Sequence, residues 1–78
     1  MDVKITYCNS WSYKPQAFRV KDEIINAYPD ANVEIIVGSR GNFIVEAQDN
    51  VIFSKKDMDR FPEVGETKEL LDKLFAHA

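Results

Sequence analysis

The spacing of the apolar residues changes early in the sequence, and this change restricts the possible folds more than any other feature. In residues 3–7 apolar and polar side chains alternate, which predicts a β-strand with one buried face. Along residues 13–28 the apolar residues recur every three or four positions, as on one face of an α-helix. Residues 33–37 are rich in β-branched side chains, which is typical of a strand covered on both faces. The first half of the chain therefore predicts a right-handed β-α-β unit with parallel strands.

The second half of the chain predicts two more strands and a closing helix. Residues 43–47 and 51–53 are apolar segments, and the short polar segment between them favours a hairpin turn. We expect a polar, solvated loop over residues 54–64, including the basic pair Lys55-Lys56. The closing helix is expected from about Glu66 to the end of the chain, with four apolar residues facing inward: Leu70, Leu71, Leu74 and Phe75.

These elements predict one α/β domain over residues 1–78, an α+β two-layer sandwich with the order β-α-β-β-β-α. Its sheet is expected to be four-stranded and mixed, with two helices. The pattern is compatible with a thioredoxin core, and it is equally compatible with other two-layer sandwiches. Hydrophobic residues make up 45% of the chain and charged residues 29%, which is a normal globular balance.

The composition also bears on the compartment and on the partners. One cysteine cannot form an internal disulfide, which favours a reducing compartment, and we see neither a signal-peptide pattern nor a segment long enough to span a membrane. The formal net charge is −3 and the basic residues are interleaved with acidic ones, which argues against binding of nucleic acid or a membrane surface. We therefore expect a cytoplasmic monomer without a bound cofactor or metal.

Four segments of the chain resemble, in order, segments of one protein family. Residues 5–14, Ile-Thr-Tyr-Cys-Asn-Ser-Trp-Ser-Tyr-Lys, resemble a strand that ends in Tyr-Cys-x-x-Sec or Tyr-Cys-x-x-Cys before a helix. The other three resemble the motifs Gly-x-Phe-Glu-Val, Ile-x-Ser-Lys and Gly-x-Phe-Pro, and they are Gly41-Asn42-Phe43-Ile44-Val45, Ile52-Phe53-Ser54-Lys55-Lys56 and Arg60-Phe61-Pro62. Together they resemble the selenoprotein W-related (Rdx) family over essentially the full chain. The resemblance implies a thioredoxin-like fold and a thiol or selenol oxidoreductase role, with glutathione as the reductant.

The two redox positions of the family correspond to Cys8 and Trp11, with Asn9 and Ser10 between them in the motif loop. Trp11 departs from the family pattern because an indole can neither form nor resolve a disulfide. One hypothesis is that Trp11 stands for a replaced or misread selenocysteine, since the codon UGA differs from the Trp codon UGG by one base. The alternative is a native Trp in a protein that has lost two-centre chemistry, and codon 11 of the gene distinguishes the two. Position 44, where the family usually has Glu, is a lesser departure.

The surroundings expected for Cys8 favour a thiolate. Cys8 lies between a strand and the start of a helix, where unsatisfied backbone N–H groups stabilise negative charge. In a thioredoxin-like arrangement residues 38–42 cross this end of the strand and bring Arg40 over Cys8, and Lys14 is a second candidate cation. We therefore expect the pKa of the Cys8 thiol to lie below that of an unperturbed cysteine. The alternative for Cys8 is a small apolar side chain packed at a strand end.

Two functions remain open from the sequence. The first is redox chemistry with glutathione or a protein thiol; with Trp11 in place only monothiol chemistry at Cys8 remains, and two-centre enzyme activity is expected to be lost. If selenocysteine occupied position 11, it would be the nucleophile and Cys8 would resolve the adduct. The second is a non-enzymatic interaction module, in which an exposed aromatic loop around Trp11, Tyr13 and Phe61 binds a partner.

Overall fold

The computed structural model describes residues 1–9, 12–38 and 41–76. Within these ranges four strands form one sheet: β1 (Asp2–Cys8), β2 (Asn32–Gly38), β3 (Phe43–Ala47) and β4 (Asn50–Ser54). Three helices accompany them: α1 (Lys14–Ala27), α2 (Lys55–Met58) and α3 (Glu66–Ala76). The succession of strands and the two long helices agree with the sequence prediction.

The sheet is mixed, with the strand order β2-β1-β3-β4. The central strand β1 pairs in parallel with β2, and α1 supplies the crossover that a parallel pair requires. β3 pairs antiparallel with both β1 and β4, so the last two strands form the predicted hairpin. The predicted α+β class with a mixed, four-stranded sheet is confirmed.

The core lies between the sheet and the two long helices. Alternation along β1 buries Val3, Ile5 and Tyr7 and leaves Lys4 exposed and Thr6 half-buried on the opposite face. The other buried apolar residues come from the neighbouring strands and from one side of each long helix: Ala17, Val20, Ile24, Phe43, Val45, Ala47, Phe53 and Leu71. Burying these side chains supplies the main favourable free energy of folding.

Two sequence expectations about burial are wrong. Residues 33–37 were expected to be covered on both faces, but β2 is an edge strand whose residues are exposed or half-buried, with Val37 57% exposed. Phe75 was expected to face inward, but it is 36% exposed and its ring lies against Tyr28, with the ring centres 6.1 Å apart. Apolar spacing identifies the element, and the neighbouring elements decide how much of it is covered.

The expected loop after β4 and the expected count of two helices are also wrong. Residues 55–58 form the short helix α2, which ends at Asp59 in a left-handed backbone conformation with φ of 57°. This single turn carries no buried residue, so it leaves no apolar periodicity in the sequence from which it could be predicted.

Candidate redox site at the end of β1

Cys8 is the last residue of β1 and is half-buried. It is opposite Gly38 of β2 in the parallel register, and its backbone N–H donates to the carbonyl oxygen of Asn42, just before β3, at 2.7 Å. By strand alternation Cys8 belongs with Lys4 and Thr6 to the sheet face opposite the core. The cysteine therefore sits at a fixed backbone position at the end of the sheet and outside the hydrophobic core.

Gly38 allows β2 to lie close to β1 beside Cys8. A Cβ atom at position 38 would be 2.4 Å from Cγ2 of Thr6, a distance at which one of the two residues has to move. Thr6 is β-branched and has little rotamer freedom, so it cannot easily make room. A residue without a side chain is thus needed at the position paired with the cysteine.

The other residues that the sequence singled out fall into two groups. Asn9 is exposed directly after β1, and Lys14 is exposed as the first residue of α1. Ser10, Trp11 and Arg40 lie outside the described residues, so the expectations for them stay predictions.

The first turn of α1 follows closely after the cysteine in the chain. Tyr13 occupies the N-cap position and makes no side-chain capping hydrogen bond, while its carbonyl oxygen accepts the N–H of Ala17 at 3.0 Å. Pro15 lies in this turn, where a missing N–H is tolerated, and the turn contains no acidic residue. A negative charge near this helix end would be favoured by the helix dipole, because no carboxylate of the first turn already occupies it.

An aromatic cluster lies at the same end of the sheet. The ring of Phe61 packs edge-on against Tyr13 and Phe43, with centre-to-centre distances of 4.9 and 5.3 Å. Phe43 is fully buried and the other two residues are half-buried. The interaction-module interpretation expected Tyr13 and Phe61 in an exposed patch, and their packing on each other and on the core corrects that expectation.

Lys55 joins this cluster and was missed by the sequence interpretation, which placed it in a solvated loop. Its Nζ lies 5.5 Å from the ring centres of both Tyr13 and Phe61, and the residue is half-buried, whereas its neighbour Lys56 is exposed. An ammonium group over aromatic rings is attracted to their π-electrons. Lys55 lies in the segment that resembles the Ile-x-Ser-Lys motif, which was the one signal available for it.

An ion pair and a backbone hydrogen bond hold the loop that carries Phe61. Arg60 binds Glu66 through two hydrogen bonds of 2.6 and 2.8 Å, and its guanidinium carbon lies 5.6 Å from the ring centre of Phe53. The hydrogen bonds from Arg60 lower the pKa of the Glu66 carboxyl from 4.5 to about 2, and a 2.9 Å bond from the Glu63 N–H also lowers it. These contacts fix both ends of the loop around Phe61.

The same loop is also attached to α1. Arg19 donates to the carbonyl oxygen of Pro62 and forms a 2.6 Å ion pair with Glu23. Glu23 in turn accepts the backbone N–H of Gly65 at 3.0 Å. Phe61 is therefore held against Tyr13 by contacts that connect the loop, α1 and α3.

The described residues were also compared with the requirements of a metal site and of a membrane-spanning helix, and they meet neither. No group of three or more His, Cys, Asp or Glu side chains in the described ranges could hold a metal ion. No helix in these ranges is long and apolar enough to cross a membrane.

Comparisons with known proteins identify the family of the chain and its fold. The Rdx family model matches residues 2–73, and the chain therefore belongs to the Rdx family. Its fold is similar to that of a selenoprotein W-related protein from Vibrio cholerae, with a TM-score of 0.86, 19% identity and coverage of 94% of each chain. It is also similar to a protein from Bordetella parapertussis, with a TM-score of 0.77, 18% identity and coverage of 92% of this chain and 94% of the other. No curated protein sequence in the comparison matches the chain.

At these identities the two solved structures show the fold alone, and the family assignment comes from the sequence match. Together they define a thioredoxin-like protein of a redox family.

Proposed function

We propose that this protein is a thiol redox protein that reacts through Cys8, with glutathione or a protein thiol as its partner. The observation that carries the proposal is the half-buried position of Cys8 at the end of β1, outside the core, in a chain of the Rdx family. A sulfur at such a position is within reach of a small disulfide, whereas a core cysteine is inert. A reducing compartment such as the cytoplasm suits this role, because it keeps a single cysteine as a thiol between reactions.

The reaction is a thiol–disulfide exchange. The Cys8 thiol loses its proton, and the thiolate attacks one sulfur of glutathione disulfide. A bond forms between Cys8 and that sulfur, the original S–S bond breaks, and the released glutathione thiolate takes up a proton. A second thiol reverses the step by attacking the mixed disulfide. Because Trp11 supplies no sulfur, a chain with tryptophan at position 11 performs this monothiol reaction only.

Incubation with glutathione disulfide followed by intact-protein mass spectrometry tests the proposal. We expect one added glutathione per chain, removed by dithiothreitol and absent in Cys8→Ser. A wild-type chain that stays unmodified under conditions in which free cysteine reacts completely would refute the proposed function.

A variant at position 11 tests the two-centre form of the same function. In Trp11→Cys the introduced thiol should form an internal disulfide with Cys8 under mild oxidation, so that thiol titration finds no reactive thiol until a reductant is added. Trp11→Ser is the matched control, in which the single thiol should remain titratable. Two titratable thiols in oxidised Trp11→Cys would show that position 11 does not face Cys8 as the family motif implies.

A further inference from the structure

We infer that two copies of this chain associate in solution. In the dimer, β2 of each copy pairs antiparallel with β2 of the other across a two-fold axis, and the two copies of α1 pack against each other. The inference does not depend on the chemistry at Cys8. It departs from the monomer expected from the sequence, for which β2 was expected to be covered on both faces, whereas the structure places β2 at the edge of the sheet.

The backbone groups of β2 that point away from β1 match those of a second β2. Asn32 donates its N–H to the carbonyl of Met1, and bonding alternates along a parallel strand, so the N–H and C=O groups of Val33, Ile35 and Val37 point outward. A two-fold axis at Ile35 places Ile35 opposite itself and Val33 opposite Val37. Each of these pairs exchanges two hydrogen bonds, so every outward group of the three residues has a partner.

The same register pairs apolar side chains and opposes no like charges. Val33, Ile35 and Val37 are in register with the core-facing residues of β1, so in the paired strands their side chains form one apolar row on the helix side. Glu34, the charged residue of β2, lies opposite Ile36 of the second copy. No charge repulsion between directly opposed residues therefore weakens this pairing.

The position of α1 allows its two copies to touch when the strands pair. α1 packs on both β1 and β2 and so lies above the space between them. The corresponding position in a second copy is two strand spacings away, which is about 10 Å. The axes of packed helices lie about 8–10 Å apart, so pairing of the two β2 strands brings the two helices into contact.

The side of α1 that faces the β2 edge carries apolar residues near both ends. Phe18, Lys21 and Ile25 share this side by their spacing, whereas Arg19 and Glu23 contact the loop before α3 on the other side. Phe18 is 43% exposed and Ile25 is half-buried. Packing against a second α1 covers apolar surface that the described part of a single chain leaves open.

The charges at the middle of α1 are complementary across the same two-fold axis. As a crossover helix, α1 runs opposite to β2, so its middle lies over the middle of the strand, where the axis passes. Lys21 of each copy then faces Asp22 of the other, and Phe18 faces Ile25. Among the residues that the structure describes, neither Lys21 nor Asp22 forms an ion pair within its own chain. Both are therefore available to a second copy.

Sedimentation equilibrium over a range of protein concentrations tests the inference, with a reductant present to keep Cys8 as a thiol. We expect a monomer–dimer equilibrium with a dissociation constant on the order of 10–100 µM, because one strand and one helix side form an interface at the small end of the usual range. At about 1 µM the chain is then monomeric. A wild-type chain that stays monomeric at about 1 mM would overturn the inference.

Val37→Pro tests the strand pairing. Proline removes the outward N–H of residue 37, which is not bonded to β1, and Val37 is 57% exposed, so the monomer should keep its sheet. We expect the dissociation constant to rise at least about tenfold, since each dimer loses two hydrogen bonds. Val37→Thr is the matched control, because it keeps the N–H and a β-branched side chain, and it should stay within about threefold of wild type. Equal dissociation constants in the two variants would overturn the inference.

Exchange of charges on α1 tests the two-fold arrangement without altering the backbone. Lys21→Asp and Asp22→Lys each place like charges across the axis, and each should raise the dissociation constant about three- to tenfold. The double variant Lys21→Asp/Asp22→Lys brings opposite charges together again and should return to within about twofold of wild type. Losses that simply add in the double variant would show that the two copies of α1 do not meet in this way, and the inference would fail.

Discussion

At the scale of single residues, the tightest packing beside the candidate site is that of the Gly38 backbone against the side chain of Thr6. We predict that Gly38→Ala lowers the free energy of unfolding by about 1–3 kcal/mol, because the new Cβ would overlap Cγ2 of Thr6 at 2.4 Å. Urea unfolding of the variant and the wild type measures the loss.

The double variant Gly38→Ala/Thr6→Ser tests the cause of that loss. Serine lacks the Cγ2 atom, so it should restore part of the stability lost in Gly38→Ala, whereas Thr6→Ser alone should not be stabilising. The three variants and the wild type form a double-mutant cycle. Strictly additive losses would show that the contact with Thr6 is not the reason for glycine at position 38.

The residues of the candidate site differ in how far the sequence could predict them. Cys8 could be placed at a strand end because the alternation of residues 3–7 is strong and local. Apart from the resemblance of its segment to Ile-x-Ser-Lys, no local pattern marked Lys55, because its ring partners Tyr13 and Phe61 come from other segments and meet only after the sheet and α1 have assembled. Side-chain contacts between distant segments leave no periodic signal in the sequence.

At the scale of elements, the loop between α2 and α3 depends on a pH-sensitive ion pair. Arg60 holds the pKa of Glu66 near 2 in the folded chain, below the 4.5 that the group has without its partners. The charged form of Glu66 is thus favoured by folding. This contribution to stability is fully present above about pH 4.5, and it is lost as the pH falls through the folded-state value near 2.

We therefore predict that wild type and Glu66→Gln differ in stability most at neutral pH and converge as the pH falls from about 5 to about 2. Denaturant unfolding of both proteins at several pH values measures the difference between their free energies of unfolding. Groups other than Glu66 titrate in both proteins, so their contributions cancel in this difference. A difference that stays constant down to about pH 2 would contradict the ion-pair explanation of this loop.

The elements themselves were predictable where one pattern dominated. β1, α1 and the β3–β4 hairpin follow from residue spacing and from one short polar turn. The edge position of β2 did not follow, because its sequence fits a central strand and only the strand order β2-β1-β3-β4 exposes it. Strand order depends on pairings between distant segments, which a single sequence does not encode locally.

At the scale of the whole molecule, β2 leaves one edge of the sheet open among the described residues. Asn32 donates its N–H to the carbonyl of Met1 at 2.8 Å, and alternate residues of a parallel strand bond to the same neighbour. The backbone groups of the intervening residues, Val33, Ile35 and Val37, therefore point away from the sheet. Apolar edge strands of this kind are templates for pairing with other chains.

We predict that Val37→Lys reduces aggregation of the heated protein while changing the free energy of unfolding by less than about 0.5 kcal/mol. Val37 is 57% exposed, so little buried surface is lost, and a lysine on an edge strand opposes intermolecular pairing. Light scattering during a thermal ramp measures aggregation, and Val64→Lys, at an 85% exposed position outside the strands, is the control. An equal effect of the two substitutions would assign the benefit to replacing any exposed valine with lysine and not to the edge of β2.

The backbone bonds around Cys8 also determine how oxidised and reduced forms of the molecule can be told apart. β2 lies on one side of this residue, and the bond to Asn42 ties it to the start of β3 on the other. An adduct on the sulfur can rotate about side-chain torsions while the sheet beneath it keeps its pairing. On the proposed function, we expect a protein that discriminates between the two forms to recognise the attached group itself, because the backbone bonds that hold Cys8 do not involve its sulfur.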